Sequence, residues 1–178
     1  MKFTETRVQG VLVIECDVHE DERGSFVPTW VAREFADRGL ETRIAQCSLS
    51  VNRRRGTLRG MHFQSAPFEE VKVVRVGRGA IFDVALDLRP HSPTFRQWEG
   101  IELDARHPRM LYIPPGVAHG YQTLTDDAEV VYTVSAPYSP PHQGGVRWND
   151  PAFGITWPMA TPTAMNDRDR TYPDFSVR

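Results

Sequence analysis

The hydrophobic positions along this chain come in short runs, and most of the runs have a period of two. "GVLVIEC" (10–16) is a β-branched stretch, "VKVVRV" (71–76) and "AIFDVALDL" (80–88) are rich in Val and Ile, "RMLYI" (109–113) is stopped by two prolines, and "EVVYTVS" (129–135) gives way to Pro137. Alternation of this kind, bounded by Gly and Pro, predicts β-strands. Between the second and third runs stands "GRG", which predicts a two-stranded hairpin. One early stretch has helical spacing instead: in "TWVAREFADRG", Val31 and Phe35 are four apart, Thr29 stands where a cap would, and Gly39 stands where a helix would end. After Ser135 the chain becomes rich in Pro, Gly and Trp, which predicts irregular structure packed over a β-core with one short helical turn near the C-terminus. No repeat or linker-like segment interrupts the pattern, so residues 1–178 read as one domain. Many short strands with turns between them predict an all-β sandwich or barrel, and a jelly roll closed around a cavity fits best.

Composition changes this picture little. The chain has 178 residues, 40% apolar and 25% charged, with a net charge of −2, which is the range of an ordinary globular domain. Without a basic field, neither nucleic acid nor an anionic membrane is expected as a partner, and any anion site has to be local. No signal-like or membrane-spanning apolar run is present, and Cys16 and Cys47 have no CxxC spacing, so a cytoplasmic protein with free thiols is the expectation.

The chemistry lies in polar residues that interrupt the apolar runs. Strand alternation in "LRGMHFQ" (58–64) puts Leu58, Gly60, His62 and Gln64 on one face and Arg59, Met61 and Phe63 on the other. Lys72 shares a face with Val74 and Val76, Asp83 with Ile81 and Ala85, and Tyr132 with Val130 and Val134. His119 follows the "PPG" turn. Each residue alone has an ordinary reading: a satisfied core histidine, a snorkelling lysine, a buried tyrosine with a bonded hydroxyl. Together they ask one cavity to absorb five ionisable groups, and a lysine among valines is costly unless it is paired. Asp83 is the expected partner of Lys72 or of one of the histidines.

"PPGVAHG" resembles the second motif of the cupin superfamily, through Pro114, Gly116 and His119. In metal-binding cupins the first motif carries two histidines one residue apart. Here His62 is followed by Phe63 and Gln64, and an amide is a poor ligand, so no metal is expected, although Glu69 and Glu70 follow. The ordered series "GTLRGMHFQ", "VKVVRVGRGAIFDVALDLRPHSPTF", "LYIPPGVAHGYQTL", "EVVYTVSAPYSP" and "GVRWNDPAFGITWP" resembles the dTDP-4-dehydrorhamnose 3,5-epimerase family over nearly the whole chain. This resemblance implies a cupin-type jelly roll without metal or cofactor, acting as a homodimer on a nucleoside diphosphate 4-keto-6-deoxyhexose. It implies that His62 removes the proton next to the C4 ketone, Lys72 stabilises the enolate, Tyr132 reprotonates from the other face and Asp169 orients His62, with Asp83 and His119 in support. It implies that Arg23, Phe26, Gln46, Ser48, Arg59, Tyr138 and Arg168 contact the nucleotide, some of them from the neighbouring subunit. Relatives often have glutamate where Pro28 stands, asparagine where Ser48 stands and lysine where Arg168 stands.

The same residue types suit that chemistry on physical grounds. Inversion at carbon needs a C–H bond broken on one face and remade on the other, hence two proton-transfer groups. Imidazole titrates near neutrality and serves as a base, while phenol is neutral at pH 7 yet can protonate a basic enolate carbon. A cation aimed at the C4 oxygen lowers the barrier most in a dry pocket. Arginine's fork matches phosphate oxygens, and Arg53 to Arg55 read as a solvated basic loop. Two other enzyme functions fit parts of the pattern, a 3,4-ketoisomerase of the same sugars and a metal-dependent cupin oxygenase or isomerase; a non-catalytic sugar-nucleotide binding module has no need for His62, Lys72 and Tyr132 together.

Overall fold

The computed structural model describes residues 1–176. In chain order its elements are β1 (Lys2–Glu5), β2 (Leu12–Glu15), β3 (His19–Asp21), β4 (Gly24–Phe26), α1 (Ala32–Ala36), β5 (Gln46–Asn52), β6 (Leu58–Gln64), β7 (Lys72–Arg78), β8 (Ala80–Asp87), β9 (Trp98–Asp104), β10 (Arg109–Ile113), β11 (Val117–Thr123), β12 (Ala128–Val134), β13 (Gln143–Gly145) and α2 (Asp167–Thr171). They form a six-stranded sheet in the order β1-β2-β10-β7-β12-β5, a five-stranded sheet in the order β13-β6-β11-β8-β9, and a separate two-stranded hairpin of β3 and β4. All named strand pairs are antiparallel. The fold is a cupin-type jelly roll: the strand pattern predicts the jelly roll, and the resemblance implies the cupin type. No helix is long and apolar enough to cross a membrane.

Period-two alternation explains how the layers assemble. Val74 and Val76 of β7, Leu111 and Ile113 of β10 and Val130 of β12 face Ile81 and Ala85 of β8, Leu103 of β9 and Val117 of β11 across the interior. The opposite faces of the same strands need cover of their own. Val71, Val73, Met110 and Ile14 are covered by Phe35 from α1. Val84, Leu86, Leu58 and Met61 are covered by Val146, Phe153 and Trp157 from the Pro- and Trp-rich C-terminal region. A five-residue helix does not persist alone. α1 persists because Phe35 is buried against Phe3, Trp30 and Tyr112.

Three local expectations are corrected. The runs on either side of "GRG" do not pair as a hairpin: β7 lies between β10 and β12, β8 lies between β11 and β9, and the turn at Gly79 carries the chain from one sheet to the other. Each run buries its inner face against the other across the core, which a flat hairpin would not allow. Thr29 is not the helix cap; Val31 occupies that position and no side chain caps the helix. The C-terminal region is not wholly irregular, because Gln143–Gly145 adds a strand beside β6 before the anticipated short helix forms at α2.

Candidate active site

The interior of the barrel is apolar over much of its length, but it opens at one end into a cavity of about 400 Å³. This volume suits a small-molecule ligand. His62, Lys72, Tyr132, Asp169, His119, Gln46, Arg59, Tyr138 and Arg168 all line it, so nine of the residues singled out from the sequence converge there.

They converge partly through a break in alternation. β6 pairs with β11 with a register shift: His119 lies opposite His62, while Tyr121 lies opposite Arg59. The irregularity falls at Gly60, where φ is +122° and a Cβ would come within 2.4 Å of Gly120 Cα. Such a slip sends the residues on either side of it to different faces than strict alternation would. Leu58 and Met61 therefore both enter the outer core, while Arg59 and His62 both line the cavity. The expectation that Arg59 faces away from His62 is thus corrected.

His62 is held at its far nitrogen. Its Nε2 donates to Asp169 Oδ1 at 2.6 Å, and the Gly60 amide donates to Asp169 Oδ2 at 3.0 Å. Asp169 is fully buried in the first turn of α2, where Asn166 Oδ1 accepts from its backbone amide at 2.7 Å. Burial alone would raise the Asp169 carboxyl, but the His62 and Gly60 bonds and the neighbouring charges of His62 and Arg168 outweigh it and hold the carboxyl below its ordinary value. Anchored at Nε2, the ring has its Nδ1 free of protein partners among the described residues. A second pair stands next to it: His119 Nε2 donates to Asp83 Oδ1 at 2.6 Å, and Asp83 is fully buried.

Of the partners expected for Asp83, the structure gives it a histidine, His119, and leaves Lys72 to another carboxylate. Lys72 Nζ pairs with Glu70 Oε1 at 3.0 Å and donates to the His62 backbone carbonyl at 3.1 Å. The signal is in the sequence, since residues 70 and 72 share a face in any extended strand. Gln64 is committed to holding the backbone. Its amide donates to Phe68 O and Pro137 O and accepts from the Ser139 amide. Among the described residues no three His, Cys, Asp or Glu side chains are grouped to hold a metal ion.

At the cavity mouth, Tyr138 and Arg168 both donate to Gln143 Oε1, at 2.6 and 2.8 Å. Gln143, Ser50 and Tyr121 are lining residues that the sequence reading missed. Only the pairing of β13 with β6 brings Gln143 to the site. Ser48 does not line the cavity but accepts from Gln46 Nε2 at 2.7 Å. Arg23 and Phe26 are not brought to it: both sit on the β3–β4 hairpin, where Arg23 pairs with Asp21 and Phe26 is 69% exposed.

Fold and cavity together define the class: a cupin-type jelly roll whose cavity is lined by two histidines, each bonded to a buried aspartate, a paired lysine and a tyrosine. The chain belongs to the dTDP-4-dehydrorhamnose 3,5-epimerase family, whose model matches residues 5–176. A dTDP-4-dehydrorhamnose 3,5-epimerase of Methanothermobacter thermautotrophicus is 40% identical over 173 residues, which is 96% of this chain and 92% of that one. The crystal structure of the Bacillus anthracis dTDP-4-dehydrorhamnose 3,5-epimerase with TDP and PPi bound superposes with a TM-score of 0.94 at 38% identity, covering 98% of this chain and 99% of that one. ChmJ, a 3'-monoepimerase from Streptomyces bikiniensis solved with dTDP-quinovose, has a TM-score of 0.89 at 34% identity, covering 95% and 85% of the two chains. By this membership the protein is an isomerase, a carbohydrate epimerase of deoxysugar biosynthesis.

Proposed function

We propose that this protein epimerises a dTDP-linked 4-keto-6-deoxyhexose at C3, C5 or both. The single observation that carries this reading is that His62 and Tyr132 line one cavity from opposing sheets, β6 and β12. A sugar ring held between them presents one face to each. His62 Nδ1 takes the proton from the carbon next to the C4 ketone, and Asp169 supports the imidazolium that forms. Charge moves to the C4 oxygen, where Lys72 meets it in a partly desolvated site. Tyr132 then delivers a proton to the opposite face. A ketoisomerase that returns its proton on one face has no use for this opposed tyrosine.

The diphosphate needs cations, and Arg59 and Arg168 line the cavity; among the described residues Arg59 has no ion-pair partner and Arg168 has only a distant one, Asp169 Oδ1 at 3.9 Å from its Nε. Tyr138 and Gln46 are suited to the base. We further propose that the working form is a homodimer. Leu49 and Val51 on the outer face of β5 are 58% and 54% exposed, and the β3–β4 hairpin stands apart from its own cavity. Arg23 and Phe26 then serve the neighbouring copy. The free thiols Cys16 and Cys47 fit a cytoplasmic setting.

Incubation with dTDP-4-keto-6-deoxyglucose in deuterated buffer tests the reaction. NMR is expected to show deuterium at C3, C5 or both, none with His62→Ala, and exchange with greatly reduced inversion with Tyr132→Phe. Absence of exchange with the parent protein overturns the reading, and full-rate inversion by Tyr132→Phe removes Tyr132 from the acid role.

A further inference from the structure

Asn52 is a buried amide whose two ends are both hydrogen-bonded next to a cavity arginine. It closes β5 opposite Ala128 of β12 and is 1% exposed. Its Nδ2 donates to the Ser50 carbonyl at 3.2 Å and to the Ala128 carbonyl at 3.1 Å. Carbonyls only accept, so the amide has one admissible orientation, and Oδ1 has to turn the other way. There it accepts from Arg59 Nε at 2.8 Å and, more distantly, from the Tyr121 hydroxyl at 3.4 Å. Tyr121 is itself fixed by a 2.8 Å bond to Ser50 Oγ.

The consequence falls on Arg59. Arg59 lines the cavity; with Nε committed to Asn52, its two terminal amino groups have no hydrogen-bond partner among the described residues, and no carboxylate among them forms an ion pair with it. An aspartate at 52 would hold the guanidinium equally well but cancel its charge. A neutral amide holds it and leaves the charge whole. We propose that Asn52 is the positioning residue that presents Arg59, oriented and uncompensated, to the diphosphate of the substrate. This rests on the reading of the cavity as a nucleoside diphosphate sugar site.

The test measures dTDP affinity by calorimetry and exchange kinetics at saturating and limiting substrate, with thermal melting as the fold control. Asn52→Ala is expected to weaken dTDP binding and raise KM by about fivefold to tenfold, the effect of one charge-assisted hydrogen bond, while kcat stays near that of the parent. Asn52→Asp is expected to weaken dTDP binding further and flatten its salt dependence. The decisive comparison is the double variant: in an Arg59→Ala background, Asn52→Ala is expected to cost nothing more. Additive losses, or a fall in kcat with KM unchanged, overturn the proposal. Should Asn52→Ala fail to fold, Asn52→Ser, which retains an oxygen acceptor, is read by the same cycle. If Arg59→Ala leaves dTDP affinity unchanged, it is the diphosphate reading that fails. If Arg59→Ala weakens binding and Asn52→Ala does not, only the positioning role fails.

Discussion

His62 Nε2 and Asp169 Oδ1 lie 2.6 Å apart although 107 residues separate them in the chain, and the second carboxylate oxygen is taken by the Gly60 amide two residues before His62. Asp169 therefore braces both the imidazole and the strand that carries it. In Asp169→Asn the amide oxygen is expected to stay on the Gly60 N–H, so the NH₂ group meets His62 Nε2. The neutral ring then carries its proton on Nδ1, the nitrogen needed as base. Solvent exchange into the substrate is expected to fall by about 10²- to 10⁴-fold with dTDP binding retained. Exchange kinetics alongside calorimetry checks this.

Lys72 and Glu70 form a mostly buried pair, and Glu70 Oε2 has no other partner among the described residues. Removing one member leaves a charge stranded. Lys72→Met is expected to lower kcat by about 10²- to 10³-fold through loss of the cation at the C4 oxygen. It is also expected to destabilise the fold by about 3 kcal/mol through the orphaned carboxylate. Lys72→Met combined with Glu70→Gln is expected to regain most of the stability and none of the rate, which denaturant melts and kinetics separate.

Gly60 lies where β6 crosses closely over β11. A Cβ there would meet Gly120 Cα at 2.4 Å and the His119 carbonyl at 2.8 Å, both backbone atoms that cannot swing aside. Gly60→Ala is expected to destabilise the protein by about 3 kcal/mol or more, or to prevent folding. Any folded fraction is expected to lose exchange activity, because Arg59 and His62 share the cavity only through this irregularity. Denaturant melts and the exchange assay report both effects.

Asp87 is fully buried at the end of β8. Burial pushes its carboxyl up, but bonds from Arg89, Ser92 and Thr94 prevail and hold it at about 2, below the ordinary 3.8. Its folded value is depressed, so its contribution to stability is present above the ordinary value and is lost as pH falls through about 2. The contribution at neutral pH is about 2 kcal/mol. Asp87→Asn is expected to lower stability at pH 7 and to show a flatter stability profile between about pH 4 and pH 2 than the parent, measured by urea melts across that range.

Much of the site was legible locally. Lys72, Tyr132 and Asp83 stand out because each interrupts an apolar run, His119 because it follows the Pro-Gly turn, and Lys72 and Tyr132 face inward as alternation requires. Asp169 had no such signal; only the family resemblance singled it out, since nothing in "NDRD" announces contact with a histidine 107 residues earlier. Glu70 was legible in principle, because it shares a face with Lys72, but a carboxylate's partner is set by distance and not by spacing along the chain.

The sequence by itself determined the class of the elements, because period-two hydrophobicity and the Gly and Pro stops act within a few residues. It also marked several polar side chains, Lys72, Asp83 and Tyr132 among them, that share a strand face with apolar neighbours. Only the tertiary structure decided which runs pair and which face each other across the core, since β7 and β8 satisfy the same local rules in either arrangement. It alone decided that Arg59 and His62 look into one cavity, because the slip at Gly60 is set by how closely β6 and β11 approach. And it alone divided the buried charges into Lys72 with Glu70 and His119 with Asp83, because electrostatic pairing depends on separation in space, which packing of the two sheets fixes and chain order does not.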